Sequence, residues 1–251
     1  MAFNINVHRA GLVPGAPRGF AISSPDFGVE MKSVSAGEVL RIARLLLGTF
    51  LYAVGIVMTI RANLGLSPWD VFHQGVSMRL GITFGMASII VSVILVALSV
   101  FMKEHVGMGT LLNMVLVGLF IDIIMATGGI PEMNNFVFGL LMLAAGLFVI
   151  AFASFFYIGA GYGAGPRDSI MVILVRRTGR RVGLCRAVVE GAALLLGWLM
   201  GGRAGIGTVI AAFGAGFAIQ SVFSLLRFNV QTVRQELLFT TLSRIKKFFR
   251  E

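Results

Sequence analysis

Six stretches of the chain are apolar for long enough to cross a bilayer, at about 45–63, 84–102, 108–127, 136–158, 183–201 and 205–226. A hydrocarbon core takes roughly 20 mostly apolar residues in a helix. Two shorter segments of about a dozen residues interrupt this series, one starting at Pro68 and one at Pro166. Each follows a glycine-rich break and is too short to cross alone. The pattern predicts an all-α polytopic membrane protein of six transmembrane helices, with two short re-entrant or interfacial helices between them.

The series is one pattern written twice. Sliding the sequence by 98 residues aligns 48–121 with 146–219 without a gap, and 19 of those 74 positions are identical. The matches include Gly65 with Gly163, Pro68 with Pro166, Asp70 with Asp168, Arg79 with Arg177, Gly85 with Gly183, Gly109 with Gly207 and Gly118 with Gly216. Seven glycine pairs coincide where composition alone gives about one, so duplication explains the match better than shared apolar bias. Three crossings per copy force the second copy into the membrane upside down, which predicts two inverted three-helix repeats. If the short segments crossed, there would be eight spans and parallel repeats; their length favours six. The chain divides into an arm at 1–37, repeats at 38–128 and 129–226, and a tail at 227–251.

Composition agrees: 57% of residues are hydrophobic, 13% charged, and mean hydropathy is +0.91. The net charge of +10 would suggest nucleic acid in a soluble protein. Here the basic residues lie in loops and ends, so no nucleic-acid partner is expected. Arg41 and Arg44, the run Arg176, Arg177, Arg180 and Arg181, and the tail fall on one side for six crossings. That side is cytoplasmic by the positive-inside rule and holds both termini. A single cysteine, Cys185, rules out an intrachain disulfide and reads as a packing residue.

Residues 1–30 have no apolar run fit for a signal peptide and read as a disordered arm, with Met31 as an alternative start. In the tail, Leu238, Leu242, Ile245 and Phe249 fall at helical spacing among Arg244, Lys246, Lys247 and Arg250. A basic amphipathic helix on the inner leaflet is expected there, with a partner-binding helix as the other reading.

The two breaks carry the candidate chemistry. Ser67 or Gly165 stands at an N-cap, Pro68 or Pro166 at the first helical position, and Asp70 or Asp168 at the third. Helix capping accounts for this arrangement. The functional reading is that each break turns backbone amides and a helix N-terminus toward a solute inside the protein, as discontinuous transporter helices do. The copies differ where Trp69 is replaced by Arg167, which either pairs with an aspartate, snorkels to the interface or favours an anionic solute. His73 and Gln74 follow one turn on, and the lone histidine is expected at the interface.

Asp122 in the third span and Glu190 in the fifth need a partner, protonation or water at that depth. Arg186, four residues before Glu190, suggests an intrahelical ion pair; the functional alternative for both carboxylates is a proton relay or a solute contact. Their counterparts Gln220 and Ser92 do not ionise. The glycines Gly107, Gly109, Gly205, Gly207, Gly214 and Gly216 read as helix-packing contacts or, alternatively, as pore lining. No catalytic constellation, cofactor motif or metal spacing is found in the sequence, and none of these groups is expected.

The pairing of Gly65-Leu66-Ser67-Pro68-Trp69-Asp70 with Gly163-Ala164-Gly165-Pro166-Arg167-Asp168 resembles the YczE/YitT-type family of bacterial integral membrane proteins. Arg176 to Gly179, Arg186 to Glu190 and Gly201 to Thr208 resemble it too, so that about 40–222 is covered. The resemblance implies a bacterial plasma-membrane protein and brings no substrate, reaction or catalytic residue. The residues themselves favour a small-solute transporter with a midplane site at Ser67, Pro68, Asp70, Pro166, Arg167 and Asp168, joined by Asp122 and Glu190. A membrane accessory or regulatory protein acting through partners is the alternative, and a lipid-acting enzyme ranks third. Besides the lipid bilayer and an unidentified solute, a second copy of the chain is a candidate partner: either one chain holds the pathway or a homodimer surrounds it.

Overall fold

A computed structural model of the chain describes residues 36–102, 107–162, 165, 170, 173–175 and 177–228. The helices are α1 (Ala36–Arg61), α2 (Pro68–Leu80), α3 (Phe84–Phe101), α4 (Met108–Thr127), α5 (Phe136–Gly159), α6 (Val182–Leu199) and α7 (Ile206–Leu225). Ile170, Ile173–Val175, Arg177 and Thr178 are also helical, and no strand occurs among the described residues. The arm before Ala36, the tail after Phe228 and the motif at Pro166, Arg167 and Asp168 lie outside them.

Among the described residues, five helices are long and apolar enough to cross a membrane: Val39–Arg61 of α1, then α3, α4, α5 and α7. The segment expected as the fifth span, α6, has 18 residues and carries Arg186 and Glu190 in its first half. Large apolar side chains cover the outside, among them Phe101, Phe213 and Phe217. A surface of this kind fits acyl chains rather than water.

The duplication reappears in the helix ends. Arg61 and Gly159 end α1 and α5, Phe84 and Val182 start α3 and α6, Met108 and Ile206 start α4 and α7, and each pair is 98 residues apart. Local chemistry fixes several of these ends. The Thr83 hydroxyl accepts from the Met86 amide at 3.2 Å, and Asn135 Oδ1 accepts from the Val137 amide at 2.9 Å. Such caps satisfy amides that the first helical turn leaves open. Gly81 closes α2 in the left-handed region at φ 65°, its N–H donating to the Ser77 carbonyl, a conformation glycine enters without a Cβ penalty.

α1 and α5, the equivalent helices of the two copies, pack along their length and run antiparallel. A methyl group on Gly48 would meet the Tyr157 backbone, one on Gly55 the Gly146 carbonyl, and one on Gly139 the Ala62 carbonyl. As one residue number rises, the other falls. The contacts are reciprocal under the repeat: Gly48 faces Tyr157, and Gly146 faces Thr59. α4 packs on α1 as α7 packs on α5, while α2 lies between α3 and α6. The largest buried cluster joins Ala53, Ile56 and Val57 of α1 to Leu66, Val71, Phe84, Val117 and Ile121. A second unites Leu147 and Ala151 of α5 with Ala211, Ala218 and Val222 of α7.

Candidate functional site

After α1 the chain unwinds through Asn63 (φ 56°) and Gly65 (φ 107°) before α2 begins at Pro68. Gly65 is required twice over: its φ lies in the left-handed half of the map, and a Cβ would fall 2.5 Å from the Gly205 nitrogen. The break docks on the start of α7. The Gly207 amide donates to the Leu64 carbonyl at 2.7 Å, and the Leu66 amide to the Arg203 carbonyl at 3.2 Å. At the equivalent place the Gly109 amide of α4 donates to the Tyr162 carbonyl, also at 2.7 Å. Each copy thus satisfies the unwound backbone of the other. Backbone groups freed by a broken helix need such partners where water is absent. Glycine at 109 and 207 permits the approach, since a methyl there would meet Tyr162 or the Gly65 carbonyl at about van der Waals overlap.

Other groups hold the two breaks unequally. Arg41 Nε donates to the Ala160 carbonyl at 3.1 Å, and its guanidinium stands 4.6 Å over the Tyr162 ring, a cation–π geometry. Its repeat counterpart, Gly139, lies against the Ala62 carbonyl. At the α1 break, Arg61 is 3.6 Å from Glu132 in the α4–α5 loop.

Ser67 is extended at the N-cap and Pro68 occupies the first helical position, as expected. The Ser67 hydroxyl donates to Asp70 Oδ2 at 2.5 Å, which ties the carboxylate to the cap residue. Asp70 and His73 are 3% and 1% exposed, and Asp70 Oδ1 lies 3.6 Å from His73 Nδ1. His73 also meets Phe84 edge-on at 5.9 Å. The histidine is therefore interior rather than interfacial: its i,i+3 spacing from Asp70 puts both on the buried face of α2. That spacing is the signal in the sequence, whereas the shortness of the segment favours an interfacial place. Buried polar residues of this kind are tolerated in membrane proteins when they face protein and carry interactions.

Next to the break is a cavity of about 190 Å³ lined by Arg61, Asn63, Gly65, Gln74, Glu132 and Arg203, among others. Gln74 Oε1 accepts from the Arg203 amide at 2.6 Å across it. The structure brings Ser67, Pro68 and Asp70 together at the start of α2, but neither they nor Asp122 and Glu190 line this cavity. Asp122 instead accepts from the Thr83 hydroxyl (2.5 Å) and the Gly85 amide (2.8 Å), holding the start of α3 from across the α3–α4 interface. Glu190 Oε1 accepts from Arg186 Nε at 2.8 Å, the intrahelical pair that the spacing suggested. Cys185 is buried, its Sγ 3.8 Å from Thr178 Oγ1. No cluster of metal-ligating side chains occurs among the described residues.

An apolar, all-helical bundle with broken helices and buried polar groups defines an integral membrane protein. Within that class the chain belongs to the family of unknown function DUF6198, which it matches over residues 39–224. It is 36% identical over 189 residues to the uncharacterized membrane protein YczE of Bacillus subtilis, covering 74% of this chain and 86% of that one. An uncharacterized protein of Haemophilus influenzae is 29% identical over 187 residues, covering 74% and 84% of the two chains. No solved structure matches the chain.

Proposed function

We propose that the chain is a small-solute transporter of the bacterial plasma membrane, with six crossings, both termini cytoplasmic and two inverted units around a midplane site. The observation that carries this is the reciprocal docking of the two breaks. Leu64 and Tyr162 occupy equivalent places in the copies, and each accepts from the first turn of a helix in the other. Antiparallel packing of the equivalent helices α1 and α5 supports inversion, since parallel repeats would set those helices in the same direction. In this reading Ser67, Pro68 and Asp70 form one half of the site and Pro166, Arg167 and Asp168 the other. Asp122 and Glu190 then act on helix geometry rather than on the solute.

The test is solute uptake into proteoliposomes, guided by a thermal-shift screen, because only a bound solute stabilises the folded chain. Asp70→Asn and Asp168→Asn should each abolish uptake of a solute that the parent chain moves. No uptake of any stabilising solute, with both variants fully active in cells, refutes the proposal.

The second reading, an accessory protein acting through partners, draws on the exposed Arg177, Arg180 and Arg181. A cavity of about 340 Å³ lies at Gly179, Arg180, Arg181 and Leu184. Under that reading, charge reversal of Arg176, Arg177, Arg180 and Arg181 abolishes cellular function while Asp70→Asn does not.

A further inference from the structure

The two repeats share one set of glycines yet use it differently. In the first, Gly85 and Gly118 are buried against one another where α3 crosses α4: a methyl on Gly118 would lie 2.6 Å from the Gly85 carbonyl oxygen, and one on Gly85 would overlap the Gly118 carbonyl. Asp122 seals this crossing through Thr83 and the Gly85 amide. In the second repeat the equivalent Gly183 and Gly216 are both exposed, and a methyl on either would meet nothing within 4 Å among the described residues. α3 and α4 pack together, whereas no comparable packing joins α6 and α7 among the described residues. Ser88 on α3 is buried, while its counterpart Arg186 on α6 is 53% exposed.

We infer that the α3–α4 and α6–α7 crossings are a pair of gates that open and close in alternation, with the first shut and the second open in this structure. This rests on the transport reading above and says where its pathway opens. α6 and α7 are joined by the short turn at 200–205, and the cavity at Gly179, Arg180, Arg181 and Leu184 lies at the other end, beside the start of α6. With the termini inside, that end is cytoplasmic, so the structure is open inward and shut outward. Exchanging the two arrangements brings Gly183 against Gly216 and releases Gly85 from Gly118. A close glycine crossing has two discrete states, packed or parted, and suits such a switch.

The exchange brings Arg181 and Gln220 together as Thr83 and Asp122 are now, within reach of a disulfide between cysteines at those positions. The experiment uses the full chain in membrane vesicles, with Cys185→Ser, Arg181→Cys and Gln220→Cys, treated with a mild oxidant. Cross-linking is read as loss of maleimide-polymer labelling. A third substitution, Ser88→Cys, reports opening of the α3–α4 crossing to a water-soluble maleimide. The expected result is progressive cross-linking and labelling of the Ser88→Cys variant about ten-fold faster once cross-linked, as a shift of the population to the other state requires.

Adding Gly216→Leu, which the open crossing accommodates here, should prevent the cross-link while leaving the melting temperature unchanged. Absence of cross-linking in vesicles where all variants melt like the parent overturns the inference. So does cross-linking that leaves the Ser88→Cys reporter protected, or that proceeds equally with Gly216→Leu. Vesicles carry no added solute, so the outcome is independent of the uptake assay. Exchange without uptake of any solute removes the transport proposal alone, and uptake without exchange removes this one alone.

Discussion

Gly85→Ala and Gly183→Ala make the same chemical change at equivalent places in the repeat, and the structure assigns them opposite outcomes. Both residues lie in the first turns of their helices, α3 and α6. At Gly85 the new methyl overlaps the Gly118 carbonyl and lies 2.6 Å from the Asp122 carboxylate carbon. α3 must therefore move away from α4. Overpacking of this kind costs about 1–3 kcal/mol. The displacement also strains the Thr83 and Gly85 hydrogen bonds to Asp122, and bonds to a charged group contribute about 1.5–3 kcal/mol each. Losing one of them brings the total to about 2.5–6 kcal/mol. At Gly183 nothing among the described residues stands within 4 Å, so only helix propensity changes. Alanine is favoured there by up to about 1 kcal/mol.

The assay is thermal unfolding of both variants in the same detergent. For a chain of this size 1 kcal/mol corresponds to about 2–4 °C. Gly85→Ala should melt about 5–24 °C below the parent, and Gly183→Ala at or slightly above it. Equal losses in the two variants, or a larger loss for Gly183→Ala, refute the unequal packing of the repeats.

Asp122→Ala should destabilise by about 2–4 kcal/mol, and Asp122→Asn by less because the amide oxygen still accepts; denaturant titration reads the difference. Gly109→Ala and Gly207→Ala should cost similar amounts, about 1–3 kcal/mol each, because both meet an unwound break of the other repeat; unequal losses in the melting curves would contradict the reciprocal docking. A double-mutant cycle on Arg186 and Glu190 should give a favourable coupling under about 1 kcal/mol, since Arg186 is half exposed. A value near zero with a stable Glu190→Gln variant would mean that the pair is not held.

Much of the fold is legible from the chain because the duplication fixes helix ends twice. Pro68 marks the start of α2, and Gly81 its end, through local backbone preferences alone. What depends on distant chain segments is less legible. Asp122 holds the start of α3 from 37 residues away, so no local spacing announces it, and a carboxylate in an apolar run reads equally well as a relay. Gly109 and Gly207 pattern as helix-packing glycines, and they do pack closely; their amide bonds to Tyr162 and Leu64 appear only once the repeats are docked. His73 is placed at the interface by the shortness of α2, but the packing of α3 and α6 on either side buries it. The difference between the α3–α4 and α6–α7 crossings has no trace in the glycines, which are the same in both copies.

Inverted repeats, as proposed here, place Arg79 and Arg177 on opposite sides of the membrane. They are equivalent positions, both exposed, at the far ends of the two short helical segments. Arg79→Cys and Arg177→Cys, each with Cys185→Ser, are to be labelled in intact cells with a membrane-impermeant maleimide, before and after permeabilisation. Six crossings with inverted repeats predict labelling of the Arg79→Cys variant from outside and of the Arg177→Cys variant only after permeabilisation. Protection of both until the membrane is opened is the pattern of eight spans and parallel repeats, and would contradict the account.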